Sequence, residues 1–196
     1  MKKLIPADAV LLPDNAERAF AGEIFDVYQW QQKLYDGSST TFEMLKRPDT
    51  VTAICMIKDK ILIADDEQPH LGMRQSFPGG RVDASDPDVN AAVQREVNEE
   101  TGYCFKSWRL IKVSQPYRKM EWFVYVWLAW DVSGQEEPDL DPGEKIKIRG
   151  LEFAAVKKLV LEREGYLGES IDLFEGVDSI DQLLALPEFK GQEVDR

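Results

Sequence analysis

The stretch Gly79–Tyr103, GGRVDASDPDVNAAVQREVNEETGY, decides how the rest of the chain is read. Asp86 or Ser85 is placed to cap a helix whose first turn carries Pro87, where a missing N–H costs nothing. Gly102 is placed to stop that helix. At roughly 100° per residue, Glu96 and Glu100 fall about 40° apart. Val89, Val93 and Val97 lie on the same half of the wheel, and Gln94, Asn98 and Thr101 mark the polar half. Two carboxylates therefore share the face expected to pack inward. Partly buried carboxylates resist ionisation unless they are paired or bound to a metal. Oxygen donors of this kind suit a hard cation, Mg²⁺ with Mn²⁺ as the alternative, that keeps some waters and takes phosphate oxygens. The plainer reading is a charged helix with no ligand; the Gly79-Gly80 entry and the Gly102 exit count against it.

The same stretch resembles the Nudix box, Gly-x5-Glu-x7-Arg-Glu-U-x-Glu-Glu-x-Gly-U, with U apolar. Arg95, Glu96, Val97, Glu99, Glu100, Gly102 and Tyr103 match every fixed position of its second half. The first half departs. Gly80 fits the opening glycine, but the run from Gly80 to Arg95 is one residue longer than the pattern, and no Glu holds the middle position. Asp86 is the nearest acid. In the family that acid braces the loop against the box arginine, so the resemblance implies an Asp86–Arg95 pair in its place. It also implies metal ligands at Glu96, Glu100 and the Gly79 carbonyl, and an α/β fold in which a mixed β-sheet is sandwiched between helices.

Composition narrows the function classes. The chain has 196 residues, 43% hydrophobic and 31% charged, enough for one domain with a substantial core and an appendage. No apolar run approaches a membrane span, and the start MKKLIPADAV lacks the apolar core of a signal peptide. Cys55 and Cys104 sit in apolar contexts without metal-ligand spacing, which reads as two thiols in a reducing compartment, the cytoplasm. A net charge of −12 argues against a surface that tracks nucleic-acid phosphates. A phosphate-bearing substrate must then meet positive charge supplied locally. The single histidine, His70, lies in a polar loop, so a histidine triad or a histidine-rich zinc site is not expected.

Outward from the box, residues 23–46 read as two strands joined around Asp36-Gly37. A lone hairpin is marginal in water and must pack on something. The run resembles the N-terminal arm of the ADP-ribose and nucleotide-sugar branch of the Nudix family. That likeness implies an arm over residues 1–47, a catalytic domain over 48–196, and a homodimer sharing its substrate site. Tyr28 and Trp30 become candidates to stack on a base, or simply pack the arm, and Arg47 a candidate to reach a phosphate. VTAICMI and ILIAD read as short buried strands around a Lys58-Asp59-Lys60 turn, and Asp65–Ser76 as a polar loop. Gln68 and Arg74 on that loop either touch substrate or are solvated, and Arg81 either meets a phosphate or pairs with an acid.

After the helix, CFKSWRLIKVS reads as one strand and Glu121–Val132 as a longer one covered on both faces. Its tryptophans read as packing, while Lys119 and Glu121 just before it fall near a possible sugar site. Helical stretches are expected near 153–164 and 179–186, and the last ten residues are expected to be loosely held. By itself SGQEEPDLDPGEK is a solvated acidic loop. Its Asp141-Pro142-Gly143-Glu144-Lys145-Ile146 resembles the Asp-x-x-Glu-x-Ile pattern with which ADP-ribose pyrophosphatases deliver a water-activating carboxylate. The resemblance thus implies Glu144, or failing that Glu99, as the base of a Mg²⁺-dependent hydrolase. Such an enzyme splits a nucleoside diphosphate sugar, ADP-ribose or one such as GDP-mannose, into a nucleoside monophosphate and a sugar phosphate. The alternatives are a Nudix hydrolase of nucleoside triphosphates or dinucleoside polyphosphates, a catalytically silent nucleotide-sugar sensor, and a pure interaction module.

Overall fold

The computed structural model describes residues 1–69, 72–140, 142–143 and 145–195. Its centre is β5 (Thr50–Ile57), joined to β6 (Lys60–Gln68) by a turn in which Lys58 takes a positive φ. β5 lies parallel to β11 (Val124–Gln135), which in turn pairs antiparallel with β9 (Tyr103–Ser114). β12 (Ile146–Glu152) closes the other edge on β6, giving the order β12-β6-β5-β11-β9. Two short strands complete the sheet: β7 (Gly72–Ser76) on β6 and β8 (Gly79–Arg81) on β5.

Apolar residues alternate so that both faces of this sheet are covered. Val51, Ala53, Cys55, Tyr125 and Trp127 face α1 (Val89–Thr101), with Ala92, Val93 and Val97 packed on them. Ile54, Met56, Ile61, Ile63, Val126 and Leu128 face the other way. They meet Val156 and Val160 of α2 (Phe153–Leu161), Phe174 of α3 (Ile171–Glu175) and Leu183 of α4 (Ile180–Leu184). This is the helix–sheet–helix sandwich expected. Between α2 and α3 a 3-10 turn at Leu167–Ser170, unforeseen in the sequence, buries Leu167 and Ser170.

The hairpin reading holds, with one strand more. β3 (Asp26–Lys33) and β4 (Ser39–Lys46) pair in full register, and β2 (Glu17–Ala21) adds to β3. On the far side β10 (Met120–Glu121) runs parallel to β4 and fastens this arm to the approach of β11. Glu121 is therefore not a sugar contact. It is buried, accepting from Lys46 Nζ and from the Leu12 N–H, each at 2.8 Å.

Three other local expectations are corrected. The polar stretch from Asp65 is not a loop over its described residues: β6 and β7 pair from Ala64↔Ser76 to Gln68↔Gly72. Nor is the described end of the chain loose at Gln192–Asp195. β13 (Gln192–Asp195) pairs with β1 (Lys2–Ile5), and Ile5 enters the core beneath α1. Thr101 belongs to the buried side of its helix, because its hydroxyl donates back to the Val97 carbonyl at 2.5 Å.

Candidate active site

The site is built where α1 meets β8. The helix is capped by Asp88, whose side chain accepts from Ala91 N–H, and not by Asp86 or Ser85. It stops as expected, with Gly102 in the left-handed conformation (φ 71°). Asp86 is elsewhere engaged. Arg95 Nε and Nη2 donate to its two oxygens at 3.0 and 2.9 Å, a bidentate fork, and the Asp83 N–H adds a third bond at 2.8 Å. The Arg95 fork holds the Asp86 carboxyl below the usual carboxylate range, against the opposing effect of burial. Asp86 thus does the bracing that the missing box glutamate would do.

Arg95 also organises the box acids. Its Nη1 donates to Glu96 Oε1 and Glu99 Oε2, both at 2.9 Å, and its Nη2 to the Arg81 carbonyl at 3.0 Å. One guanidinium thereby ties the helix to the loop that follows the glycine pair. Replacing Asp86 by alanine leaves this cation short of its best partner, and we expect a loss of about 2 kcal/mol in urea unfolding. A group whose folded pKa is depressed contributes above its unfolded pKa, and the contribution fades as pH falls. The gap between variant and wild type should therefore narrow below about pH 4. A gap that stays constant through acid would show that Asp86 acts by packing alone.

Gly79 lets β8 lie close on β5, and Gly80 lets the helix come close. A Cβ on Gly79, which sits at φ 148°, would lie 2.2 Å from the Val51 carbonyl oxygen, and one on Gly80 would lie 2.4 Å from Glu96 Oε2. The Gly79 N–H donates to Glu100 Oε2 at 2.9 Å. Gly80, Glu96, Glu99, Glu100 and Asp139 line one cleft of about 260 Å³. Among the described residues no three acidic side chains already converge on one point. The donors there are carboxylate and backbone oxygens with no thiol or imidazole, which is the chemistry of a hard divalent cation. Glu96, Glu100 and the Gly79 carbonyl fit such an ion by donor type.

Beside this cleft lies a larger cavity of about 360 Å³. Its floor is two rows running across four strands, Lys112–Val126–Thr52–Gly79 and Ser114–Val124–Thr50–Arg81. Gly80, Arg81 and Glu100 line both spaces, so the acidic cleft adjoins the cavity.

Of the sequence candidates, Arg47, Gln68, Gly79, Arg81 and Glu100 line the cavity. Gln68 donates to Asp66 at 2.8 Å, and Arg81 donates through its Nε to Asp83 at 2.9 Å at the cavity's edge. Arg74 is not among the lining residues; its guanidinium sits 5.4 Å from the Tyr166 ring, which is. Tyr28 and Trp30 lie on the arm sheet away from this chain's own cavity, with Trp30 packed against Phe42. Glu144 and Asp141 lie outside the described residues, as does His70. The acidic loop before them is described, and it runs along the end of α1. The Glu136 N–H donates to the Gly102 carbonyl at 2.7 Å, and the Asp139 N–H to the Glu99 carbonyl at 2.9 Å.

The cavity also contains Lys112, Trp122, Tyr166 and Glu169, which sequence reasoning missed. Alternation along β9 was the one signal available for Lys112; the others depend on contacts far apart in sequence. Trp122, read as packing, donates its Nε1–H to Thr50 Oγ1 at 3.0 Å at the cavity wall.

Comparison with known proteins identifies the family and the fold. The NUDIX domain model matches residues 46–170, which takes in the sheet from β5 to β12, the box helix and α2. An ADP-ribose pyrophosphatase of Bacillus subtilis (strain 168) is 28% identical over 156 residues, 76% of this chain and 83% of that protein. A crystal structure of an ADP compounds hydrolase superposes with a TM-score of 0.62 at 19% identity, covering 79% of this chain and 85% of the other, a likeness of fold. The chain belongs to the Nudix family of pyrophosphohydrolases.

Proposed function

We propose that this enzyme hydrolyses the diphosphate linkage of a nucleoside diphosphate sugar, with ADP-ribose first and sugar nucleotides such as GDP-mannose second. The observation that carries the reading is the junction of the two spaces. A cavity bearing Arg47, Arg81 and Lys112 adjoins, at Glu100, a cleft of box carboxylates. On a chain of net charge −12, clustered cations beside clustered acids suit a diphosphate, whose charge is shared between cationic side chains and a metal ion. The similarity to an ADP-ribose pyrophosphatase supports the choice of sugar.

In this reading Arg47 and Arg81 hold phosphate oxygens and orient the linkage. Glu144, or failing it Glu99, takes the proton of the attacking water. Mg²⁺, or Mn²⁺, held by Glu96, Glu100 and the Gly79 carbonyl, supplies charge neutralisation for the diphosphate. Tyr28 and Trp30 reach a site only across a dimer. The arm carries exposed Phe20, Ile24 and Phe42, the kind of surface a second copy would cover, and we place the enzyme as a homodimer. Both cysteines are unpaired, in keeping with a cytoplasmic enzyme.

Product analysis tests the reading. The protein is incubated with Mg²⁺ and ADP-ribose, GDP-mannose, UDP-glucose, a dinucleoside polyphosphate or nucleoside triphosphates. Nucleoside monophosphate and sugar phosphate, lost on chelation, are the expected products. Turnover confined to the triphosphates or the dinucleoside polyphosphate would move the assignment within the family. Thermal stabilisation by a nucleotide sugar without any turnover would make the protein a sensor. A monomer by light scattering would remove Tyr28 and Trp30 from the site.

A further inference from the structure

β10 runs parallel to β4 with Glu121 opposite Lys46, so the next residue on each strand, Trp122 and Arg47, is carried to the same place. The Arg47 guanidinium carbon lies 4.8 Å from the centre of the Trp122 ring and 5.4 Å from that of Phe25. Trp122 is itself fixed. Its indole N–H bonds to Thr50, and Tyr117 stacks on it at 6.3 Å with the rings 16° from parallel. Arg47 and Trp122 both line the cavity, together with Arg81.

Arg47 forms no ion pair among the described residues, and its buried Nε has no hydrogen-bond partner there. Burial first, and the like charge of Arg81 second, disfavour this cation, and the attraction of Asp49 offsets them only in part. A guanidinium normally escapes such costs by pairing with a carboxylate, which neutralises the charge and occupies its N–H donors. An aromatic face works differently. It orients the planar group and attracts its charge while leaving all five N–H donors unused.

We infer that Trp122 is a positioning residue for substrate: it holds Arg47 so that the N–H edge of the guanidinium stays open to the cavity, where with Arg81 it takes the oxygens of a diphosphate. The inference rests on reading the cavity as a diphosphate site. It places the root of the arm, through Phe25 and Arg47, in the anion site of its own chain, whatever the arm does for a second copy.

Binding of inorganic pyrophosphate to the full chain, measured by calorimetry with a chelator present, isolates the side chains from metal and from turnover. Trp122→Leu should weaken binding about fivefold to tenfold, and Trp122→Phe should restore most of it. Arg47→Gln should cost more, and adding Trp122→Leu to it should cost little further, because the ring acts through Arg47. Phe25→Leu, at a partly exposed position whose loss the fold tolerates, should weaken binding about twofold to threefold and serves if Trp122→Leu is unstable. With ADP-ribose, Trp122→Leu should raise KM far more than it lowers kcat. Unchanged pyrophosphate binding in Trp122→Leu or Phe25→Leu, independent losses in the double variant, or no pyrophosphate binding by wild type would each overturn the inference. None of these outcomes depends on which nucleotide the enzyme hydrolyses, so the two readings fail separately.

Discussion

Replacing Glu100 by glutamine is expected to lower kcat on the order of 10³-fold, about 4 kcal/mol of lost transition-state stabilisation, while leaving the fold in place. The substitution is chosen because its structural cost is small. The Gly79 N–H needs an oxygen acceptor at Glu100 Oε2, 2.9 Å away, and a glutamine carbonyl supplies one. What it cannot supply is the negative charge that a hard divalent cation requires. Thermal unfolding without metal should therefore resemble that of wild type, and the stabilisation by Mg²⁺ should be sharply reduced. Full activity in the variant would put the ion elsewhere than at the junction of cleft and cavity. Unfolding without metal would show instead that Glu100 is chiefly a structural acceptor for the β8 turn.

The parts of the molecule legible in the sequence are those whose cause is local. The i, i+4 spacing of Glu96 and Glu100, the glycine pair and the left-handed Gly102 are short-range facts, and they placed the helix and the carboxylates on it. Asp86 shows the limit of that reasoning. The sequence offers it both as the partner of Arg95 and, with Ser85 as the alternative, as the helix cap; the pairing forms, and the helix starts two residues later, with Asp88 as its cap. Glu121 was misread because burial of an acid depends on partners that arrive from the arm and from Leu12, neither near it in sequence. The pairing of β1 with β13 joins the two ends of the chain, a contact that leaves no mark in either tetrapeptide. Trp122 is the most consequential case. A run of apolar residues gives no sign that one ring in it faces a cavity and an arginine; only the parallel β10–β4 pairing does that.

Glu144→Gln is expected to lower kcat about 10²-fold to 10⁴-fold, the range for loss of a positioned general base, with substrate affinity retained. Two lines converge on this residue although it lies outside the described part of the chain. Its spacing matches the family loop that delivers such a carboxylate. The described residues just before it are also anchored to the end of the box helix, with Asp139 lining the cleft beside Glu96, Glu99 and Glu100. The rival, Glu99, has an oxygen already committed: its Oε2 accepts from Arg95 at 2.9 Å, in the network that also holds Asp86. To act through that oxygen it would have to leave the bond, loosening the loop that presents the site. Single-turnover kinetics separate the possibilities. A slow chemical step in Glu144→Gln with unaltered substrate binding supports Glu144. An unchanged rate there, together with a slow step in Glu99→Gln, moves the base to Glu99 and gives the Arg95 bond a dynamic part in the cycle. If both variants keep their rates, Asp139 is the remaining acid of the cleft placed on the same loop, and Asp139→Asn becomes the variant that must be slow.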